Sequence, residues 1–298
     1  MPDYGNPLRF GVFPAPDADR LDETMATVRA AEHGGLDLVG IQDHPYQRRH
    51  LDAWALMATI LARTERVSVF PDVANLPLRP PAVMAETAAS LDVLSGGRFE
   101  LGLGAGAFRQ AVSAMGGPSR TPPEAAGALE EAVEVIRLMW WQRSSVRYDG
   151  RHYRLAGVKP GPPPAHDIGI WLGVGGPRML AAAGRLADGW VPSSAYFPPE
   201  KLPAMAERID AAAREAGRDP AAVRRIYNVM GTVDGSGAGS FQGPAHAWVE
   251  EFTRLAVEVG MDTFVFAPDQ GGAAQVERFA AEIAPAVRGE VARLRGSG

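Results

Sequence analysis

The sequence predicts an α/β fold, a single (β/α)8 barrel domain of the TIM type spanning residues 1–298 with insertion segments. Three observations predict it. Short apolar runs rich in β-branched and aromatic residues alternate with amphipathic stretches along the whole chain. About eight such units can be counted, the number a barrel needs. The length of 298 residues and hydrophobic content of 46% suit one large core.

The predicted first strand covers residues 8–14, followed by a helix over 21–33 that aligns Leu21, Met25 and Val28 on one face. A second strand over 37–41 runs into Gln42-Asp43-His44-Pro45-Tyr46, with a helix near 51–63. A third strand, 67–74, leads through Asn75 and the Pro80-Pro81 pair into a helix with Val83, Thr87, Leu91 and Leu94 aligned; prolines fit a helix start, where the missing N–H costs nothing. The fourth strand, 99–103, opens into Gly104-Ala105-Gly106-Ala107-Phe108, and Leu129, Val133, Ile136 and Trp140 mark a long helix beyond it. Asp149-Gly150 between strand-like runs predicts a hairpin insertion near 145–165. The remaining strands are 168–173, 189–192, 225–233 and 263–267, and the Gly- and Ser-rich loop 234–243 is expected to be mobile. Trp54, Trp140 and Trp141 are read as packing residues.

In a parallel barrel every loop after a strand lies on the face that carries the active site. Asp43 and His44 meet that condition, and His suits proton exchange near neutral pH with a carboxylate to orient it or touch the ligand; the plain alternative is a cap and a satisfied hydrogen bond. Val73, Ala74 and Asn75 offer small side chains against which a planar ring can lie. Gly104, Ala105 and Gly106 let backbone come close to such a ring; the segment 102–107 superficially matches a dinucleotide fingerprint, but the loop 116–123 intervenes before the next helix, and a plain tight turn is the other reading. Gly175, Gly176, Pro177 and Arg178 open a helix whose free N–H groups and arginine charge suit a phosphate, against a helix start with Arg178 in solvent. Tyr46, Phe108, Arg109 and Trp190 are candidates to line a substrate pocket.

Composition closes off other chemistries. With no cysteine there are no disulfides, thiolate nucleophiles or cysteine-ligated clusters. Asp43, His44 and His50 lack metal-ligand spacing and the other histidines are dispersed, so no metal is expected. A net charge of −5 with scattered arginines gives no footprint for nucleic acid. Met1-Pro2-Asp3-Tyr4-Gly5 lacks the basic and apolar runs of a signal peptide, and no segment approaches the ~20 apolar residues of a membrane span. A soluble, cytoplasmic protein is expected.

These segments, in this order, resemble the luciferase-like monooxygenase superfamily, the bacterial-luciferase-type barrels that use FMN or the deazaflavin coenzyme F420. Its most specific part is Pro80-Pro81-Ala82-Val83 through Leu91-Asp92-Val93-Leu94-Ser95-Gly96-Gly97-Arg98-Phe99-Glu100-Leu101-Gly102-Leu103-Gly104, joined by Gly175-Gly176-Pro177 and Ala187-Asp188-Gly189-Trp190. The resemblance implies that Val73 to Asn75 form the bulge behind the coenzyme ring, where members often carry a non-prolyl cis peptide, and that Gly175 to Arg178 receive the coenzyme phosphate. It also implies that Asp43 and His44 are the Asp-His pair of F420-using members, with the histidine in catalysis. FMN-using relatives more often show a Glu-His-His sequence there, which tilts the reading to F420. One departure is Ala107, where sugar-phosphate dehydrogenases of the F420 group carry a glutamate.

The expected activity is hydride transfer between F420 and a small organic substrate. The alternatives are an FMN-dependent monooxygenase supplied with reduced flavin by a separate reductase, and a non-catalytic flavin-binding barrel. A homodimer is expected from the resemblance, with a flavin or F420 reductase as a further partner.

Overall fold

Strands buried on both faces need continuous apolar runs, and the short runs of this chain provide them. The computed structural model describes residues 3–237 and 241–296. β1 (Arg9–Val12), α1 (Leu21–His33), β2 (Leu38–Ile41) and α2 (Ala53–Ala62) form the first two units. The predicted third strand is divided into β3 (Ser68–Pro71) and β4 (Ala74–Asn75) by a bulge at Asp72 and Val73, whose peptide bond is cis. α3 (Pro81–Ser95), β5 (Leu101–Gly104), α4 (Arg109–Ala114) and α5 (Pro122–Trp141) follow.

An antiparallel hairpin of β6 (Val146–Asp149) and β7 (Arg154–Val158) then interrupts the βα rhythm, with Asp149 opposite Arg154. Glu131 on α5 accepts the N–H groups of Arg151, His152 and Tyr153, which fastens the hairpin tip to the barrel. β8 (Ile170–Leu172), α6 (Pro177–Leu186), β9 (Gly189–Trp190), α7 (Leu202–Glu215), β10 (Arg224–Gly231), α8 (Ala245–Arg254), β11 (Thr263–Pro268), α9 (Gly272–Arg278) and α10 (Ala284–Gly296) complete the chain. Part of the loop 234–243 expected to be mobile, residues 238–240, lies outside the described residues.

The main sheet is parallel throughout, in the order β3-β2-β1-β11-β10-β9-β8-β5-β4. Val69 closes the ring: its N–H donates to Arg98 O at 2.9 Å, and its carbonyl accepts from Glu100 N–H at 3.0 Å. With β3 and β4 counted as one interrupted strand, the sheet is the eight-membered barrel that the alternation predicted. Leu38, Phe70, Trp171, Val191, Ile226 and Val265 pack on one another without any helix residue, and so fill the barrel interior. The larger apolar cluster lies between strands and helices. Among the described residues no helix is long and apolar enough to cross a membrane.

Two packing expectations are corrected. On α3 the buried face is Met84, Ala85, Ala88, Ala89 and Leu91, while Val83 and Leu94 are exposed at 48% and 83%. The reason is close approach to α5, where Trp140 Nε1 donates to Ala85 O at 2.8 Å and small side chains are needed. Trp54 and Trp140 do pack as expected, but Trp141 is half exposed.

At the end of the barrel where the strands begin, His166 Nδ1 meets Asp92 Oδ1 at 2.7 Å, and its Nε2 lies 3.8 Å from Glu100 Oε2. Asp92 is fully buried and also accepts the N–H groups of Ala165 and His166. Glu100 and Asp92 outweigh partial burial and push the His166 pKa up to about 9. A raised folded-state pKa contributes stability that is complete below the unfolded value of 6.5 and is lost as pH rises through about 9. Wild type is therefore expected to exceed His166→Ala by ~1–2 kcal/mol near pH 6, allowing for solvent screening of a partly exposed group, with the gap narrowing toward about pH 10. Urea unfolding of both proteins across that range measures it, and a gap that stays constant rules out the ionic account.

Candidate active site

Asp43 follows the last residues of β2 and turns inward, 5% exposed. Its Oδ2 accepts the N–H of Asn75 at 2.9 Å, binding the end of β4 to the end of β2. Burial raises its pKa, an effect that the Asn75 N–H and the charge of Arg79 oppose. Asp43 is not among the residues lining the cavity at this end of the barrel. One carboxylate oxygen is thus engaged by Asn75, and the Asp43 charge also acts on the Tyr46 hydroxyl of the cavity wall.

The cavity measures about 430 Å³ and lies at the C-terminal ends of the strands. His44, Tyr46, Val73, Ala74, Asn75 and residues 104–109 form most of its wall, with Gly173, Val174, Gly175 and Met179 on the far side. The His44 ring stacks on Tyr46 with centroids 5.2 Å apart and meets Phe108 edge-on at 5.1 Å. Burial, with a smaller contribution from His50, lowers the His44 pKa to about 4, so its imidazole is neutral at pH 7. Burial and then the Asp43 charge push the Tyr46 hydroxyl up to about 12. Tyr46 Oη and Asn75 Oδ1 are buried on this wall without a hydrogen-bond partner. Buried polar atoms are rarely left so, and both residues belong to the cavity wall.

The glycines on the cavity wall also answer to their protein neighbours. A Cβ on Gly104 would come within 2.7 Å of Val73 Cγ2, and one on Gly173 within 2.8 Å of the same atom. These glycines make room for the Val73 side chain, and Val73 in turn forms cavity wall. Gly106 has φ +82°, a conformation for which glycine is suited, and Pro77 stands where its side chain would go. Gly175 likewise yields to the Phe197 ring. Gly176 alone of the α6 pair is open, with nothing within 4 Å of the place a methyl group would take.

Pro177 occupies the first turn of α6, and Met179 reaches the cavity. Arg178 does not supply the free charge expected of it: its guanidinium pairs with Glu130 on α5 at 2.9 Å and borders a separate surface depression. The α6 start retains first-turn N–H groups without partners inside the helix, the general basis on which helix starts attract anions. Trp190 is also corrected. It is fully buried, donates from Nε1 to Val174 O at 2.9 Å, and lines no part of the cavity. Phe108 and Arg109 are at the exposed rim.

Several neighbours escaped the sequence reading. Pro122, Ala125 and Ala126 from the start of α5 join the wall, and Asp72 and Asn228 lie buried beside Val73. Asn228 had a visible signal, a polar residue inside the apolar run Ile226-Tyr227-Asn228-Val229. Among the described residues no group of three His, Cys, Asp or Glu side chains could hold a metal ion.

A family model described as luciferase-like monooxygenase matches residues 6–238. The chain is 32% identical over 228 residues to 5,10-methylenetetrahydromethanopterin reductase of Archaeoglobus fulgidus, an alignment covering 76% of this chain and 65% of that protein. It is 31% identical over 225 residues to an F420-dependent glucose-6-phosphate dehydrogenase of Kineococcus radiotolerans, covering 72% of this chain and 66% of the relative. The match thus spans just under two thirds of either relative's length. An F420-dependent secondary alcohol dehydrogenase, solved in complex with an F420-acetone adduct, superposes with a TM-score of 0.86 at 21% identity, covering 95% of this chain and 99% of that one. The coenzyme F420 dependent tetrahydromethanopterin reductase from Methanopyrus kandleri gives 0.82 at 19% identity, over 94% and 99%. Both structures share the fold. With the family model matched over well more than half its length, the chain belongs to the luciferase-like monooxygenase family.

Proposed function

We propose that this protein is an oxidoreductase that transfers a hydride between coenzyme F420 and a small organic substrate. The observation that carries the reading is His44, a neutral imidazole held between two aromatic rings on the wall of the strand-end cavity. The coenzyme is suggested by the relatives named for it, and the cavity fits such a group. Val73, Ala74 and Asn75 would back the planar ring, Gly104 and Ala105 would border it, and the start of α6 at Gly175 and Gly176 would take the phosphate-bearing chain. His44, Tyr46 and Asn75, with Arg109 at the rim, are the polar side chains on a wall that is otherwise mostly apolar. When bound, the deazaflavin ring supplies the two-electron hydride chemistry.

The chain's own contribution is orientation and proton handling. In the direction of substrate oxidation, His44 takes the proton that the substrate releases at its unprotonated ring nitrogen, and it returns that proton in reverse. On the wall the His44 imidazole is in an accepting form at neutral pH, whereas the Tyr46 hydroxyl keeps its proton. Ala107 is on the wall but brings no acid, and among the described residues no carboxylate lines the cavity. The hydrogen bond from Asn75 to Asp43 keeps the coenzyme-facing residues fixed relative to His44.

Fluorescence titration of the purified protein with F420 and with FMN tests the reading. Saturable F420 binding is expected; tight FMN binding with none for F420 would replace it by the flavin monooxygenase alternative.

A further inference from the structure

We propose that Asp72 and Asn228 form an un-ionised carboxylic acid–amide pair that positions the cavity floor, so that the coenzyme is held tightly only while Asp72 carries a proton. The positioning half rests on the coenzyme reading above; the acid–amide half does not. Asp72 stands where β3 ends, 7% exposed, its N–H donating to Ile41 O at 2.8 Å. Asn228, on β10 and 5% exposed, donates from Nδ2 to Asp72 Oδ1 at 2.8 Å. The two remaining oxygens, Asp72 Oδ2 and Asn228 Oδ1, are both buried and both without a partner. Two acceptors and no donor is an unfavourable arrangement for a buried pair. One proton on Asp72 Oδ2 removes the charge and supplies the donor.

The surroundings favour that proton. A methyl group on Gly40 would lie 2.9 Å from Oδ2 and 3.0 Å from the Phe70 ring, so the carboxyl rests on backbone and aromatic surface. The apolar filling of the barrel, Leu38, Phe70, Trp171, Ile226 and Val265, occupies the same interior. Among the described residues no cation compensates Asp72. Burial raises its pKa to about 7, and the Asn228 amide is the one influence lowering it. The titratable groups on the adjoining strands are Asp43 and His44 beyond β2, Arg224, Arg225 and Tyr227 on β10, and Glu100 before β5; none of them acts on Asp72 appreciably.

The three residues after Asp72 are the floor. Asn75 is held at one end by Asp43, and Asp72 is held at the other by Asn228. Ionising Asp72 places an unpaired charge inside the barrel, which is relieved by moving the carboxyl toward water and the floor with it. Asp72 is therefore a positioning residue that never needs to touch the substrate.

Infrared spectra of the coenzyme-free protein and of Asp72→Asn decide the first half. The carbonyl stretch of an un-ionised acid is expected in wild type at pH 6, lost by about pH 9, and missing from Asp72→Asn at both. Asn228→Ala is the second variant: the band persists at pH 6 and shifts as its partner is removed. Titration with F420 at pH 6 and pH 8 decides the second half, with the wild-type Kd rising roughly tenfold as the protonated fraction falls. Asp72→Asn, a neutral isostere, is expected to bind at both with less than about twofold change beyond the coenzyme's own titration. Absence of the band overturns the pair, and an Asp72→Asn protein with the wild-type pH dependence overturns the positioning role. F420 binding to neither protein at either pH overturns the coenzyme reading and the positioning role together, and a band still present separates that failure from failure of the pair.

Discussion

Asp210→Ala is expected to lower the unfolding free energy by about 3–5 kcal/mol, because it breaks a buried ion pair. Arg225 on β10 and Asp210 on α7 are 0% and 1% exposed by side chain and meet at 2.7 Å. Tyr4 donates its hydroxyl to the other Asp210 oxygen at 2.6 Å, and the Arg225 guanidinium lies 5.2 Å from the Tyr4 ring. Arg225 also donates to the Val223 carbonyl. Removing the carboxylate leaves a buried guanidinium with no other ion-pair partner among the described residues; Tyr4 loses its acceptor and the exposed Arg214 its ion pair as well. The double variant Asp210→Ala with Arg225→Met is expected to recover much of the loss, because the charge to be compensated is gone. Urea unfolding of the two single variants and the double variant provides the cycle. A cost below about 1 kcal/mol for Asp210→Ala, or strict additivity, would mean that the pair is not coupled.

His44→Ala is expected to lower kcat/KM by about 10²–10⁴ while F420 affinity changes only a few-fold. That loss is ~3–5 kcal/mol of transition-state stabilisation, and no side chain on the cavity wall substitutes, since Ala107 carries no acid and Asp43 is turned to Asn75. The pH profile carries the sign. A base with its pKa lowered to about 4 keeps its accepting form throughout the neutral range, so the acidic limb of kcat/KM for substrate oxidation belongs near pH 4. An acidic limb near 6.5 that vanishes in His44→Ala would show that the aromatic enclosure does not depress the imidazole. Unchanged turnover in His44→Ala would remove it from the reaction altogether.

The fold was legible because its signals are local. Apolar runs such as Leu38-Val39-Gly40-Ile41 and Phe264-Val265-Phe266 announce buried parallel strands without reference to anything distant. The position of Asp43 and His44 at a strand's end followed from the same alternation. What misled was the assumption that large apolar residues mark the inner face of a helix. On α3 the alanines face inward because Trp140, far along the chain, needs the room. Trp190 was misassigned for a related reason: whether a strand-end side chain points to the mouth or to the helices depends on register, and its partner Val174 sets that. Arg178 depended on Glu130, and Asp72 on Asn228, a residue 156 positions away. Such pairings become visible only when the strands are brought together.

Val73 also sets how deep the cavity is. Glycines at 102, 104 and 173 leave room around its two methyl groups, and the side chain separates the mouth from the interior cluster of Phe70 and Trp171 against which it packs. Its size is thus a dial for ligand length, separate from the proton chemistry of His44 and the tether at Asp43. A designer wishing to admit a bulkier molecule has one residue to shorten first, in a wall whose neighbours carry no side chain to be trimmed.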